Sequence, residues 1–204
     1  MLERLREEVK KRVREKRYIH ILGVEEKAAE LAVRYGVDEE KCRIAAILHD
    51  VAKEMEIKDM EKICRENFSA ELTEKDMEIS EILHGFVGYI VARDEFKITD
   101  ESILDGIRYH TIGKKGLDTL GRIIYIADAI EKNRDYPGVE NIRAEVAKDL
   151  DKGIIFEIDR KINYLSSVGG KIHKNTMEMR DWLAENRNLL TWNEKKGTDM
   201  KIGK

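Results

Sequence analysis

The chain has 204 residues, enough for one domain with a sizeable core. Charged residues make up 39%, yet 38 Lys and Arg nearly balance 41 Asp and Glu, leaving a net charge of −3. That balance excludes the broad basic surface of a nucleic-acid binder, so no stable nucleic-acid partner is expected. No apolar run reaches membrane-spanning length, and the N-terminus (MLERLREEVKKRV) is too charged to be the apolar centre of a signal peptide. Cys42 and Cys64 form no CxxC pair and no disulfide framework. The expectation is a soluble, cytoplasmic protein with no membrane partner.

One proline and a predominance of Ala, Leu, Glu, Lys and Arg predict an all-α fold. Apolar spacing at Leu2, Leu5, Val9 and Val13 predicts an amphipathic helix over 1–16. It could pack on its own domain or on a second subunit, which keeps a homodimer possible; packing within the chain is the expectation. A second helix over 19–35 carries the stripe His20, Val24, Ala28, Leu31 and Tyr35, and Gly36 ends it. Asp38 caps a third helix, 39–53. A short helix over 57–66 precedes an irregular surface stretch, 67–78. Further helices are predicted over 79–95, over 101–110 capped by Asp100, and over 119–132 capped by Asp118. The middle of the last, Ile123 to Ala127, is apolar all round and marks a buried helix. Tyr136-Pro137-Gly138 breaks the chain before one long helix, 140–166. A glycine loop at 167–171 leads to a final helix, 175–188. One domain over 1–190 and a disordered polar tail over 191–204 complete the expectation.

Four of the five histidines, His20, His49, His84 and His110, fall on apolar stripes of four helices, and Asp128 does so on a fifth. Asp50 follows His49 directly, after the apolar run Cys42 to Leu48. A lone histidine on an apolar face is usually a hydrogen-bonded core residue. Four histidines and two aspartates are more economically satisfied together, at one shared site between helices. Imidazole and carboxylate ligands suit iron, manganese, cobalt or nickel in an open octahedral site, where the ion lowers the pKa of bound water. Arg17, Lys53 and Arg134 stand close in sequence to these ligands, which favours an anionic substrate, with phosphate as the natural candidate.

The ordered set His20, His49-Asp50 and Asp128 resembles the HD-domain superfamily of metal-dependent phosphohydrolases. The stretches RYIHILGVEEKAAELA (17–32), AAILHDVAK (45–53), HGFVGYIVA (84–92), YHTIG (109–113), IIYIADAIEKNRDYPGV (123–139) and GGKIHKNT (169–176) are more specific, and resemble the YqeK family. The chain departs from that family at Lys132 and Lys174, where members commonly carry proline.

The resemblance implies an all-helical HD fold, one iron ion, and symmetrical hydrolysis of diadenosine tetraphosphate to two ADP. Manganese, cobalt or nickel are the possible substitutes. It implies His20, His49, Asp50 and Asp128 as metal ligands. It implies substrate contacts at Arg17, Lys53, His84, His110 and Arg134, beside the ligands His20 and Asp128. A loop of Gly169, Gly170, Lys171, Ile172, His173, Lys174, Asn175 and Thr176 would close over the nucleotide. Asp50, Lys53, His84 and His110 are the expected catalytic groups, with either His84 or His110 protonating the leaving ADP. Two other readings stay open. In one, His84 and His110 help to hold a second metal and the substrate is another phosphodiester or nucleotide. In the other, the pocket is a non-catalytic nucleotide sensor.

Overall fold

The computed structural model describes residues 1–170 and 172–199, with side chains through residue 186. Among these residues there are ten α-helices and no strand. They are α1 (Leu2–Lys10), α2 (Glu15–Tyr35), α3 (Glu39–Leu48), α4 (Ile57–Phe68), α5 (Ser80–Asp94), α6 (Glu101–Tyr109), α7 (Thr119–Ile130), α8 (Val139–Lys148), α9 (Leu150–Ser167) and α10 (Lys174–Asp199). The all-α expectation is met.

Helix α7 is the axis of the bundle. Ile123, Ile124, Tyr125, Ile126 and Ala127 are all buried, and α2, α3, α6 and α9 pack around it. The expected caps form: Asp38 accepts from Lys41 N, Asp100 from Ser102 N and Ile103 N, and Asp118 from Gly121 N. Helix α1 packs on its own domain, with Leu5 and Val9 buried. Its Arg6 reaches the buried Glu25 of α2 at 2.6 Å, and Arg43 of α3 meets the same carboxylate at 3.1 Å. Two guanidinium groups are what make a carboxylate tolerable at that depth.

Several boundaries differ from the sequence expectation. The expected helix 140–166 is two helices, because Asp149 is extended (φ −162°, ψ 122°) and caps α9 by accepting from Lys152 N at 2.9 Å. The expected surface stretch 67–78 contains the end of α4 and a single 3-10 turn at Asp76–Glu78. Helix α10 runs to Asp199, through most of the expected tail; residues 200–204 lie outside the described residues. Most relevant to the site, α3 stops at Leu48, five residues short of its expected end. The His49 ring donates from Nδ1 to Ala46 O at 2.6 Å, so a side chain takes one of the carbonyls at the helix end. The chain continues in tight turns, with Val51 N bonded to Leu48 O and Lys53 N to Asp50 O.

One close approach brings two histidines together. A Cβ on Gly85 of α5 would lie 2.6 Å from the Arg108 carbonyl oxygen, so only glycine lets α5 and α6 touch there. His84 and His110 flank that contact. On its other side the Arg108 guanidinium lies 4.3 Å from the Phe68 ring centroid and 4.8 Å from that of Phe86, which ties α4, α5 and α6 together.

Candidate metal centre

His20 (α2), His49 and Asp50 (after α3), His84 (α5), His110 (after α6) and Asp128 (α7) converge on one point in the core. All are buried except Asp128, which keeps 23% side-chain exposure. The helices supply the orientation. His49 and His110 each follow a helix end, and each donates from Nδ1 to the carbonyl three residues back, Ala46 O at 2.6 Å and Ile107 O at 2.7 Å. That bond fixes the tautomer by network and turns Nε2 inward as a lone pair. His20 does the same through a carboxylate, with Nδ1 3.2 Å from Glu131 Oε1.

The inward nitrogens do not find donors. Nε2 of His20 and Nε2 of His49 are both buried without a hydrogen-bond partner. Instead His20 Nε2 faces Asp128 Oδ1 at 3.0 Å, and His49 Nε2 faces Asp50 Oδ2 at 3.3 Å. In that tautomer each contact sets a lone pair against a carboxylate oxygen, which is repulsive unless a cation lies between them. Burial disfavours a charged His49, yet Asp50 beside it outweighs burial and holds its pKa above the ordinary value. The site's field therefore calls for positive charge here, and a divalent ion is one way to supply it. Ligand atoms of His20, His49 and Asp128 lie within 4.8 Å of one another, as do those of His49, Asp50 and His110. The donor set, imidazole nitrogen with carboxylate oxygen, fits a transition metal.

Both carboxylates remain ionised. Burial works against Asp50, but His49, His110 and His84 hold its pKa well below the usual carboxylate range. Asp128 is depressed likewise: burial opposes its charge, and His20, His49 and Arg134 prevail. His110, by contrast, is pushed down to about 4, chiefly by burial, so it is neutral near pH 7.

Around this centre stands an outer layer that the sequence did not reveal. Glu131, 1% exposed, accepts from Asn133 N at 2.7 Å and Asn133 Nδ2 at 2.9 Å while gripping His20. It fits only because residue 23 is glycine; a Cβ there would lie 2.2 Å from Glu131 Oε2. The carboxylate–histidine pairing raises ligand basicity and locks the ring. Its one sequence signal is Glu131 following Asp128 at i+3.

The expected phosphate contacts divide into two groups. Arg17 Nη1 meets Asp50 Oδ2 at 2.8 Å, and Arg134 meets Asp128 Oδ1 at 2.6 Å, so both guanidinium groups adjoin carboxylates of the cluster. Lys53 Nζ lies 3.5 Å from His84 Nδ1, and His84 Nε2 lies 3.0 Å from His110 Nε2. The glycine loop behaves differently. His173 Nε2 lies 3.4 Å from Asp76 Oδ1, Asn175 N donates to His173 Nδ1, and the buried Thr176 hydroxyl donates to Ile112 O. Among the described residues no hydrogen bond or ion pair joins this loop to a metal ligand; Lys171 lies outside the described residues.

Two clefts open beside the centre and share Arg134. One, of about 730 Å³, is lined by Arg14, Lys16, Arg17, His20 and Asn133. The other, of about 650 Å³, is lined by Asp128, Tyr136, Pro137, Lys161 and Tyr164. Each is of a size that takes a small organic ligand.

Comparison with known proteins agrees with this geometry. The HD domain family matches residues 17–133, a span that opens on Arg17 and closes on Asn133. A Bacillus subtilis protein named bis(5'-nucleosyl)-tetraphosphatase, symmetrical, is 39% identical over 86% of this chain and 93% of its own. A Halalkalibacterium halodurans protein of the same name is 38% identical over 83% of this chain and 89% of its own. A crystal structure of an HD superfamily hydrolase from Clostridium acetobutylicum, described as involved in NAD metabolism, superposes with a TM-score of 0.86 at 37% identity, covering 91% of this chain and 98% of that one. The chain belongs to the HD domain family, and within it to the YqeK group of symmetrical bis(5'-nucleosyl)-tetraphosphatases.

Proposed function

We propose that this protein is a metal-dependent hydrolase that cleaves diadenosine tetraphosphate symmetrically into two ADP. The observation that carries the reading is the pair of buried, donor-less Nε2 atoms of His20 and His49 facing the carboxylates of Asp128 and Asp50. His20, His49, Asp50 and Asp128 would hold the ion, and iron is the metal proposed. When bound, the metal supplies an activated water and positive charge for a phosphoryl oxygen.

The chain's own groups account for the rest. Arg17 and Arg134, on either side of the ligands, bind oxygens of the phosphate chain and orient it across the centre. Water attacks a phosphorus beside the central bridging oxygen and gives up a proton to solvent, the bond from that phosphorus to the bridging oxygen breaks, and the departing ADP takes a proton. His84 supplies that proton. Its Nε2 lies 3.0 Å from His110 Nε2, the lone-pair nitrogen of a neutral ring that can only accept, so the hydrogen between them belongs to His84. Lys53, at 3.5 Å from His84, adds positive charge as negative charge develops on the leaving group. No described helix is long and apolar enough to cross a membrane; the proposed setting is the cytoplasm.

One observation favours a second reading. Asp50 Oδ2 faces His49, while Oδ1 lies 3.1 Å from His84 Nε2 and 3.7 Å from His110 Nε2. A carboxylate shared in this way can bridge two ions, with His84 and His110 on the second. Two metals per chain would support that arrangement.

The test is product analysis on protein purified without oxygen. Diadenosine tetraphosphate should give ADP alone; ATP plus AMP would contradict the symmetrical reaction.

A further inference from the structure

A tetraphosphate cut at its middle must have a nucleoside on each side of the metal. The two clefts meeting at Arg134 offer two directions for those halves, and they differ in chemistry. The first is lined by Arg14, Lys16, Arg17 and Asn133 and has no tyrosine, tryptophan or phenylalanine in its described lining. The second combines two kinds of group. It holds Asp128, Arg134 and Lys161, the last held by Glu157 and Tyr125 at 3.0 Å each. It also holds Tyr136, Pro137 and Tyr164.

Tyr164 is not explained by packing. Tyr164 is 67% exposed on α9, although an aromatic ring in water contributes nothing to the core. Tyr136 is 36% exposed, and its hydroxyl donates to Ala129 O at 2.9 Å, which holds the ring beside the cleft. The Tyr136-Pro137-Gly138 turn is itself tied to α9, where Arg160 donates to Pro137 O. Cations beside Asp128 and aromatic rings open to solvent, in one cleft, match the two parts of a nucleotide, its phosphates and its base.

Resting on the proposed hydrolysis, we infer that the cleft between the 136–138 turn and α9 is a nucleoside site, with Tyr164 and Tyr136 stacking on one base of the dinucleotide. Stacking on an aromatic face is tolerant of base identity, since every base has a π-face. The site should therefore accept dinucleoside tetraphosphates with guanine as readily as with adenine.

The test is calorimetric binding, independent of turnover. The probes are a diadenosine tetraphosphate analogue with a methylene group at the central bridging position, and inorganic tetraphosphate. Both are titrated into metal-loaded wild-type protein and into Tyr164→Ala, Tyr136→Ala and Tyr164→Phe. Tyr164→Ala changes an exposed side chain and leaves the core untouched. It should weaken the analogue about tenfold and leave inorganic tetraphosphate within about twofold, while Tyr164→Phe binds as the wild type does. Tyr136→Ala should follow Tyr164→Ala. Unchanged analogue affinity in both alanine variants would overturn the assignment, and so would equal losses for the two probes. The parent reading fails separately: wild-type protein that binds the analogue through Tyr164 but forms no ADP from diadenosine tetraphosphate keeps the nucleoside site and removes the hydrolase.

Discussion

Replacing Asp50 with alanine is expected to strip the protein of metal and to slow ADP release by more than about 100-fold. The figure follows from position: loss of an outer hydrogen-bond partner of a metal ligand costs about 10–100-fold in affinity or activity, and a shared ligand costs more. Asp50 is 2% exposed and stands between His49, His84 and Arg17 at 3.3, 3.1 and 2.8 Å. Alanine removes the carboxylate that these three cations or ligands surround. The fold should persist, because Arg17 is part-exposed and can turn to water once its partner is gone. The stability cost should be about 1–3 kcal/mol, that of leaving a buried polar partner unmatched. Metal analysis, ADP release and thermal unfolding on the same preparation check all three. A folded, metal-free Asp50→Ala protein with wild-type turnover would sink the assignment.

The second large effect comes from a residue that touches no metal. Gly23→Ala is expected to weaken metal binding about 10–100-fold, through the loss of Glu131 as the partner of His20. A methyl at position 23 would sit 2.2 Å from Glu131 Oε2 and 2.9 Å from Glu131 Cδ. The carboxylate has little room to yield: the same Oε2 is held by Asn133 N and Nδ2, Asn133 Nδ2 would itself lie 3.0 Å from the methyl, and Glu131 is 1% exposed. Helix propensity points the other way, since alanine is favoured over glycine in a helix by about 1 kcal/mol. A loss of metal affinity therefore cannot be ascribed to a weakened α2. The cycle is closed with Glu131→Ala and the double variant, read by chelator competition. If displacement of Glu131 is the cause, Gly23→Ala adds little once Glu131 is gone. Additive losses would mean that Gly23 acts by another route.

The buried cluster was legible because polar residues on apolar stripes violate a simple rule, and five predicted helices carry such a residue. His20, His49, His84, His110 and Asp128 could be read from periodicity alone. Gly23 and Glu131 could not. Each sits where helices put such residues routinely, and their meaning lies in a contact 108 positions apart in the chain. The end of α3 was missed for a related reason: the helix stops because the His49 ring takes the Ala46 carbonyl, a side-chain event that apolar spacing does not register. The break at Asp149 carried a usable signal, an N-cap aspartate before Leu150-Asp151-Lys152, which the continuous apolar spacing masked. The pairing of Arg17 with Asp50 and of Arg134 with Asp128 needed three dimensions.

On the proposed mechanism the centre formed by His20, His49, Asp50 and Asp128 must hold metal for symmetrical cleavage to occur. Its most direct test is a titration of chelator-treated protein with ferrous iron in the absence of oxygen, following ADP formed from diadenosine tetraphosphate. The rate should start near zero, rise in proportion to added iron, and level off at one equivalent, with ADP as the sole nucleotide product. Undiminished ADP formation by the metal-free protein would contradict the account.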